Sequence, residues 1–277
     1  MKLSNKTTKL IVGATLVVSI VLFGSKALHE DLMTSKTSVF EDRIYLIEPM
    51  PILMYHDISE ETKERFHLPV ERFEEQLKYI KKNNFSTITL ASMLKGGIPQ
   101  NPVVLTFDDI SMRFYEKVFP LLKKYGMRAT AFVIVKDIWD KGNRLTWNRI
   151  RELEQSGLVD IQSHTMGHSN LIECSPEKVE WELWKSKQIL EKNLNKKIEF
   201  IAWPYGVANQ EIKEIARKVG YVGFAGCDGF LLKKRTVNLS NIGRFEVNGN
   251  WSVETFEHIL MQLKGNRVEI NLKQSLK

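Results

Sequence analysis

An α/β fold built as a single barrel-type domain is the architecture the sequence predicts, on three observations. From Pro51 onward, short β-rich runs alternate with longer amphipathic stretches. Gly126, Gly157 and Gly220 each close a helical stretch where a left-handed cap is needed, and each is followed by a strand run. Acidic or imidazole residues stand at the C-terminal ends of several strand runs, the edge at which α/β barrels and open sheets assemble their sites. The 277 residues, 43% hydrophobic and 26% charged, supply one sizeable core. A barrel of alternating strands and helices commonly uses about 250 residues as one unit, so length alone does not divide the chain.

Taken in order, Pro51 to His56 (PILMYH) reads as a buried strand, and Val70 to Lys82 as a helix with Phe73, Leu77 and Ile80 at helical spacing. Further strands are expected at 87–90, 103–107, 129–135, 159–162, 200–203, 221–225 and 245–247. Helices are expected at 111–125, 147–156, 176–194, 209–219 and 253–263. The resulting organisation is an N-terminal export or anchor segment (1–27), a linker (28–50), the main domain (51–265) and a polar tail (266–277).

Lys2, Lys6 and Lys9 precede the uncharged run from Leu10 to Ser25, the pattern of an export signal. Ser25-Lys26-Ala27 offers a small-x-small cleavage site, and a retained membrane anchor is the alternative. Either puts the main domain outside the cytoplasm. The net charge of +7 suits anionic cell-wall or lipid surfaces, whereas export and the lack of a basic-aromatic groove argue against nucleic acid. Cys174 and Cys227 are too few for a disulfide framework and too far apart in sequence for a thiolate metal site; one disulfide and two free thiols are both open.

The chemistry concentrates at the strand ends. His164 and His168, four residues apart in a loop rich in Ser, Thr and Gly, can converge on one cation. With Asp109 they make a two-imidazole, one-carboxylate site with open positions, suited to Zn2+, with Ni2+ or Co2+ also fitting. Asp108 is then the natural general base for water attack on an acetamide, and His56, at another strand end, the acid for the departing amine. Taken singly, an Asp-Asp pair after a strand is as often a helix cap with a solvated neighbour, and a histidine pair can be mere surface.

Thr106-Phe107-Asp108-Asp109, Ser163-His164-Thr165-Met166-Gly167-His168 and Trp203-Pro204-Tyr205-Gly206 resemble the motifs of the polysaccharide deacetylases of carbohydrate esterase family four. The resemblance implies a distorted (β/α) barrel of the nodulation-protein homology (NodB) type. It makes Asp108 the base and Asp109, His164 and His168 the metal ligands. Pro204 and Tyr205 would shape a groove wall and supply a backbone N–H to the oxyanion. Met54-Tyr55-His56 lies before the Asp-Asp motif and no late Leu-x-x-His segment follows, an order similar to the biofilm poly-N-acetylglucosamine deacetylases, in which the acid histidine comes from the first strand. The implied substrate is N-acetylglucosamine polysaccharide, β-1,6-linked ahead of peptidoglycan or chitin-like glycans. By the same resemblance Arg244 corresponds to a groove arginine that orients the base. The chain departs at Ile110, where the family usually has glycine, which bears on the loop's backbone angles and the groove's width.

Two rival functions remain at this level: a glycoside hydrolase using Asp108 with a second carboxylate, and a catalytically silent glycan-binding module. Of six tryptophans, Trp203 is favoured as a sugar-facing residue because it adjoins Pro204-Tyr205, while Trp181 and Trp184 are expected to pack against the barrel. His67 is expected in a polar loop and His258 on the last helix, neither catalytic.

Overall fold

The structure is a computed structural model that describes residues 43–45, 50–60, 65–138, 145–227 and 236–265. The export segment, most of the linker, Trp139 and the polar tail therefore lie outside the described residues. The body described below falls within Ile44–Lys277, a compact unit separate from Met1–Arg43.

The elements run β1 (Ile52–Tyr55), β2 (Asp57–Ser59), β3 (His67–Pro69), α1 (Val70–Lys82), β4 (Ser86–Ile88), α2 (Leu90–Met93) and β5 (Pro102–Phe107). A π-helical turn, Phe114–Val118, leads into α3 (Phe119–Tyr125). There follow β6 (Ala129–Val133), α4 (Trp147–Gln155), β7 (Val159–Ser163), α5 (Pro176–Leu194), β8 (Phe200–Ala202), α6 (Gln210–Val219), β9 (Gly223–Ala225), β10 (Phe245–Glu246) and α7 (Val253–Leu263). Among the described residues, no helix is long and apolar enough to cross a membrane.

Eight strands form one parallel sheet in the order β9-β8-β7-β6-β5-β1-β10, with β4 pairing the first half of β5 beside β6. Strands β1, β5, β6 and β7 are buried along their whole length, as expected of a parallel sheet covered on both faces. The sheet curls. Ile242 bridges to Ala225 in β9, and three residues later β10 pairs with β1, so 242–246 spans the two ends of the sheet. This is the distorted (β/α) barrel that the sequence predicts.

Local signals explain the helices. Ser175 and Asn209 cap α5 and α6 by accepting from Lys178 N and Ile212 N. Gly126 (φ 66°), Gly157 (φ 69°) and Gly220 (φ 97°) take the left-handed conformation that ends their helices. On α5, Val179, Leu183 and Leu190 are fully buried, each contributing about 2 kcal/mol of apolar transfer free energy. That inward stripe turns Trp181 and Trp184 outward, 43% and 46% exposed, each with a lysine (Lys178, Lys185) over its ring. The expectation that they pack against the barrel is corrected: spacing put both on one face, but the other face won the core.

Two further expectations change. The helix expected from Ser111 opens with the π-helical turn, and the expected polar loop around His67 is strand β3, paired with β2 in register Asp57 with His67 and Ile58 with Leu68. Cys174 and Cys227 are free thiols.

Candidate active site

Strand register builds the site. Tyr55 in β1 pairs with Phe107 in β5, so His56 and Asp108, the next residues, leave neighbouring strands side by side, with Asp108 N donating to Tyr55 O at 2.9 Å. Val133 in β6 pairs with Ser163 in β7, and Ser163 with Ile201 in β8, which brings His164 to the same edge. The strand ends open on a cavity of about 530 Å³ lined by His56, Asp108, Asp109, His164, His168, Trp203, Tyr205 and Arg244, among others. Pro204 is buried behind it.

Asp109 Oδ1 lies 3.4 Å from His164 Nε2 and 3.7 Å from His168 Nε2, and the three donor atoms all fall within 4.8 Å of one another. The His164 Nδ1–H donates to Ala202 O at 2.9 Å, which leaves Nε2 as the lone-pair nitrogen facing the cluster. Burial, then the neighbouring His164, lower the pKa of His168 and favour its neutral, ligating form. The donor set therefore fits a divalent transition ion. Unusual backbone delivers it: Asp109 (φ 52°), Thr165 (φ 68°) and His168 (φ 58°) are left-handed without being glycine. The positive φ falls on Asp109, not on Ile110, so isoleucine needs no strained angle; it is 9% exposed and packs in the core beside the site.

Asp108 is 3% exposed and accepts two hydrogen bonds from Arg244, Nη1 to Oδ1 at 2.6 Å and Nη2 to Oδ2 at 2.7 Å. Arg244 is itself 1% exposed and also donates to Thr106 Oγ1 and Gly226 O, which fixes its fork. Burial by itself would raise the Asp108 carboxyl, but the Arg244 charge, then His164, bring it down to about 2, and the group is a carboxylate. A carboxylate clamped in this way is a poor partner for the two-carboxylate arrangement of glycoside hydrolysis.

The remaining expected residues divide. Tyr205 stands at the rim, 65% exposed at φ 59°, with its ring 5.0 Å from that of His168. Gly206 is required where it is: a Cβ there would sit 2.1 Å from Cys227 Sγ. Trp203 is only 2% exposed and packs on Phe224, so it underlies the cavity floor and offers no face to a sugar. His56 sits against Phe66, whose 43% exposure makes it, with Tyr205, an aromatic that faces solvent at the cavity. Phe66 carried no sequence signal, because it reaches His56 only through the pairing of β2 with β3, two three-residue strands too short to read from the sequence. The burial of Glu182 escaped for another reason: a glutamate on an amphipathic helix reads as solvated.

A family model described as polysaccharide deacetylase matches residues 95–224, the stretch that holds the Asp-Asp, His and Pro204-Tyr205 segments. The Bacillus subtilis protein YxkH, which carries the polysaccharide deacetylase name, is 36% identical over 177 residues, 62% of each chain, so the match spans less than two thirds of that relative. A Staphylococcus aureus poly-β-1,6-N-acetyl-D-glucosamine N-deacetylase is 27% identical over 229 residues, 77% of each chain. The Streptococcus pyogenes deacetylase PplD, solved in complex with acetate, superposes with a TM-score of 0.69 at 26% identity, covering 79% of this chain and 99% of that one. The matched segment, the shared barrel and the strand-end cluster make this chain similar to the polysaccharide deacetylases.

Proposed function

We propose that the chain is an exported N-deacetylase that uses a divalent ion, Zn2+ by preference, to remove acetyl groups from N-acetylglucosamine polysaccharide. The observation that carries this reading is the adjacency of a three-donor cluster (Asp109, His164, His168) to a buried, ionised carboxylate, Asp108. Asp109, His164 and His168 would hold the ion, which when bound would supply Lewis acidity for the acetamide carbonyl and for the ionisation of water. Asp108 accepts the proton of the attacking water, and Arg244 keeps its two oxygens aimed and charged. The backbone N–H of Tyr205 receives the developing oxyanion at the rim. His56, one strand over from Asp108, gives its proton to the departing sugar amine.

The β-1,6-linked polymer is the preferred substrate, on the similarity to the Staphylococcus aureus enzyme and the early position of His56. Residues 1–27 act as signal or anchor, which places the enzyme at the outer face of the membrane where such glycans lie. The silent-module reading loses its main support, because Ile110 does not line the central cavity. The test is release of acetate and free amine from N-acetylglucosamine oligomers of different linkage, before and after chelation and Zn2+ restoration. Metal-restored release is expected, fastest on β-1,6 oligomers; metal-loaded protein that releases nothing from any oligomer would end the deacetylase reading.

A further inference from the structure

A buried carboxylate outside the reaction centre holds the loop that carries His168. Glu182, on α5, is 1% exposed. It accepts from Gly167 N at 2.8 Å through Oε2 and from the Ser169 hydroxyl at 2.9 Å through Oε1. Lys178, one turn earlier on the same helix, lies 3.0 Å from Oε1 and balances the charge from the solvent side. The two loop residues that Glu182 holds flank His168, and the loop contains two non-glycine residues in the left-handed conformation, Thr165 and His168. Such angles cost free energy unless the surroundings hold them.

The two imidazoles are thus anchored differently. His164 follows a strand and is oriented by the Ala202 carbonyl. His168 has no strand behind it; its own N–H is held by Thr165 Oγ1 at 3.0 Å, and the residues on either side are held by Glu182. We propose that Glu182 is a positioning residue that sets the geometry of His168, and through it the affinity of the Asp109-His164-His168 cluster for a divalent ion. The inference rests on the metal-site reading above.

The chemistry suggests the variants. Glu182→Leu keeps volume and burial but removes both acceptors. Glu182→Gln keeps them in function, because its carbonyl oxygen can accept from Gly167 N–H while its amide donates to the Ser169 hydroxyl. Leu190→Ala, on the same helix and fully buried, lowers stability without touching the loop. Zn2+ dissociation constants would be measured by competition with a chromophoric chelator, well below each variant's melting temperature. Exchange of the Gly167 amide would be followed in the metal-free proteins.

Glu182→Leu should weaken Zn2+ binding by about 10-fold or more and speed Gly167 exchange by a similar factor. Glu182→Gln and Leu190→Ala should stay within about threefold of wild type in affinity. Unchanged Zn2+ affinity in Glu182→Leu, or an equal loss in Leu190→Ala, would overturn the proposal. A wild-type protein that binds no Zn2+, Ni2+ or Co2+ would instead overturn the metal-site reading, and the link to affinity with it.

Discussion

Replacing Arg244 with Met removes a guanidinium that is 1% exposed and leaves Asp108, 3% exposed, as a lone buried charge. Deleting one partner of such a pair costs about 3–5 kcal/mol. For a domain of this size, that lowers the melting temperature by roughly 10 °C or more. The cost should depend on pH with a definite sign. In the wild type the Asp108 carboxyl lies at about 2, below its ordinary 3.8, so its ionised form stabilises the native state above pH 3.8 and the contribution fades as pH falls toward 2. Without Arg244, burial is unopposed by its main counter-charge and the carboxyl moves upward, so the variant takes up a proton on mild acidification and loses less relative to wild type. Urea denaturation of the metal-free proteins at about pH 7 and about pH 5 measures both quantities. Adding Asp108→Asn to Arg244→Met removes the stranded charge and should recover part of the loss at pH 7. A loss below about 1 kcal/mol, a loss equal at the two pH values, or no recovery in the double variant would refute the reasoning.

Three other expectations follow from the same geometry. His56→Ala should retain Zn2+, measured by titration calorimetry, while kcat falls about 10²- to 10⁴-fold, since the residue lies outside the donor cluster. His164→Ala should lose Zn2+ binding and acetate release together, because it removes one of three donors. Gly206→Ala should cost about 2–4 kcal/mol by thermal denaturation, since φ is 73° and the new Cβ would meet Cys227 Sγ; Cys227→Ala in the same chain should recover only the Sγ part, because the Cys227 Cβ stays 2.8 Å from the new atom and the backbone cost remains.

The barrel was legible because its signals are local and redundant. Pro176–Leu194 carries its own cap and apolar stripe, and the three glycines mark real left-handed ends. What failed was what depends on how elements pack against one another. Trp181 and Trp184 share a face with each other, but only the assembled barrel decides that Val179, Leu183 and Leu190 point inward. The His67 segment reads as polar loop until β2 lies beside it. Within the site, the Asp108-Asp109 and His164-His168 segments announce themselves by composition. The strained angle at Asp109 instead of at position 110, and the service of Glu182 beneath Gly167, have no sequence signature, because both are settled by what the neighbouring elements leave room for.

Residues 242–246 bridge to β9 at Ile242 and form β10 beside β1 at Phe245–Glu246, and Arg244 lies in their middle. Ring closure and charge compensation at Asp108 are therefore one event. A growing chain can lay down β1 through β9 and still contain an acidic group buried without its counter-ion, a state that favours openness over compaction. Only when residues 242–246 arrive does the sheet gain both its bridge and the counter-charge of Asp108.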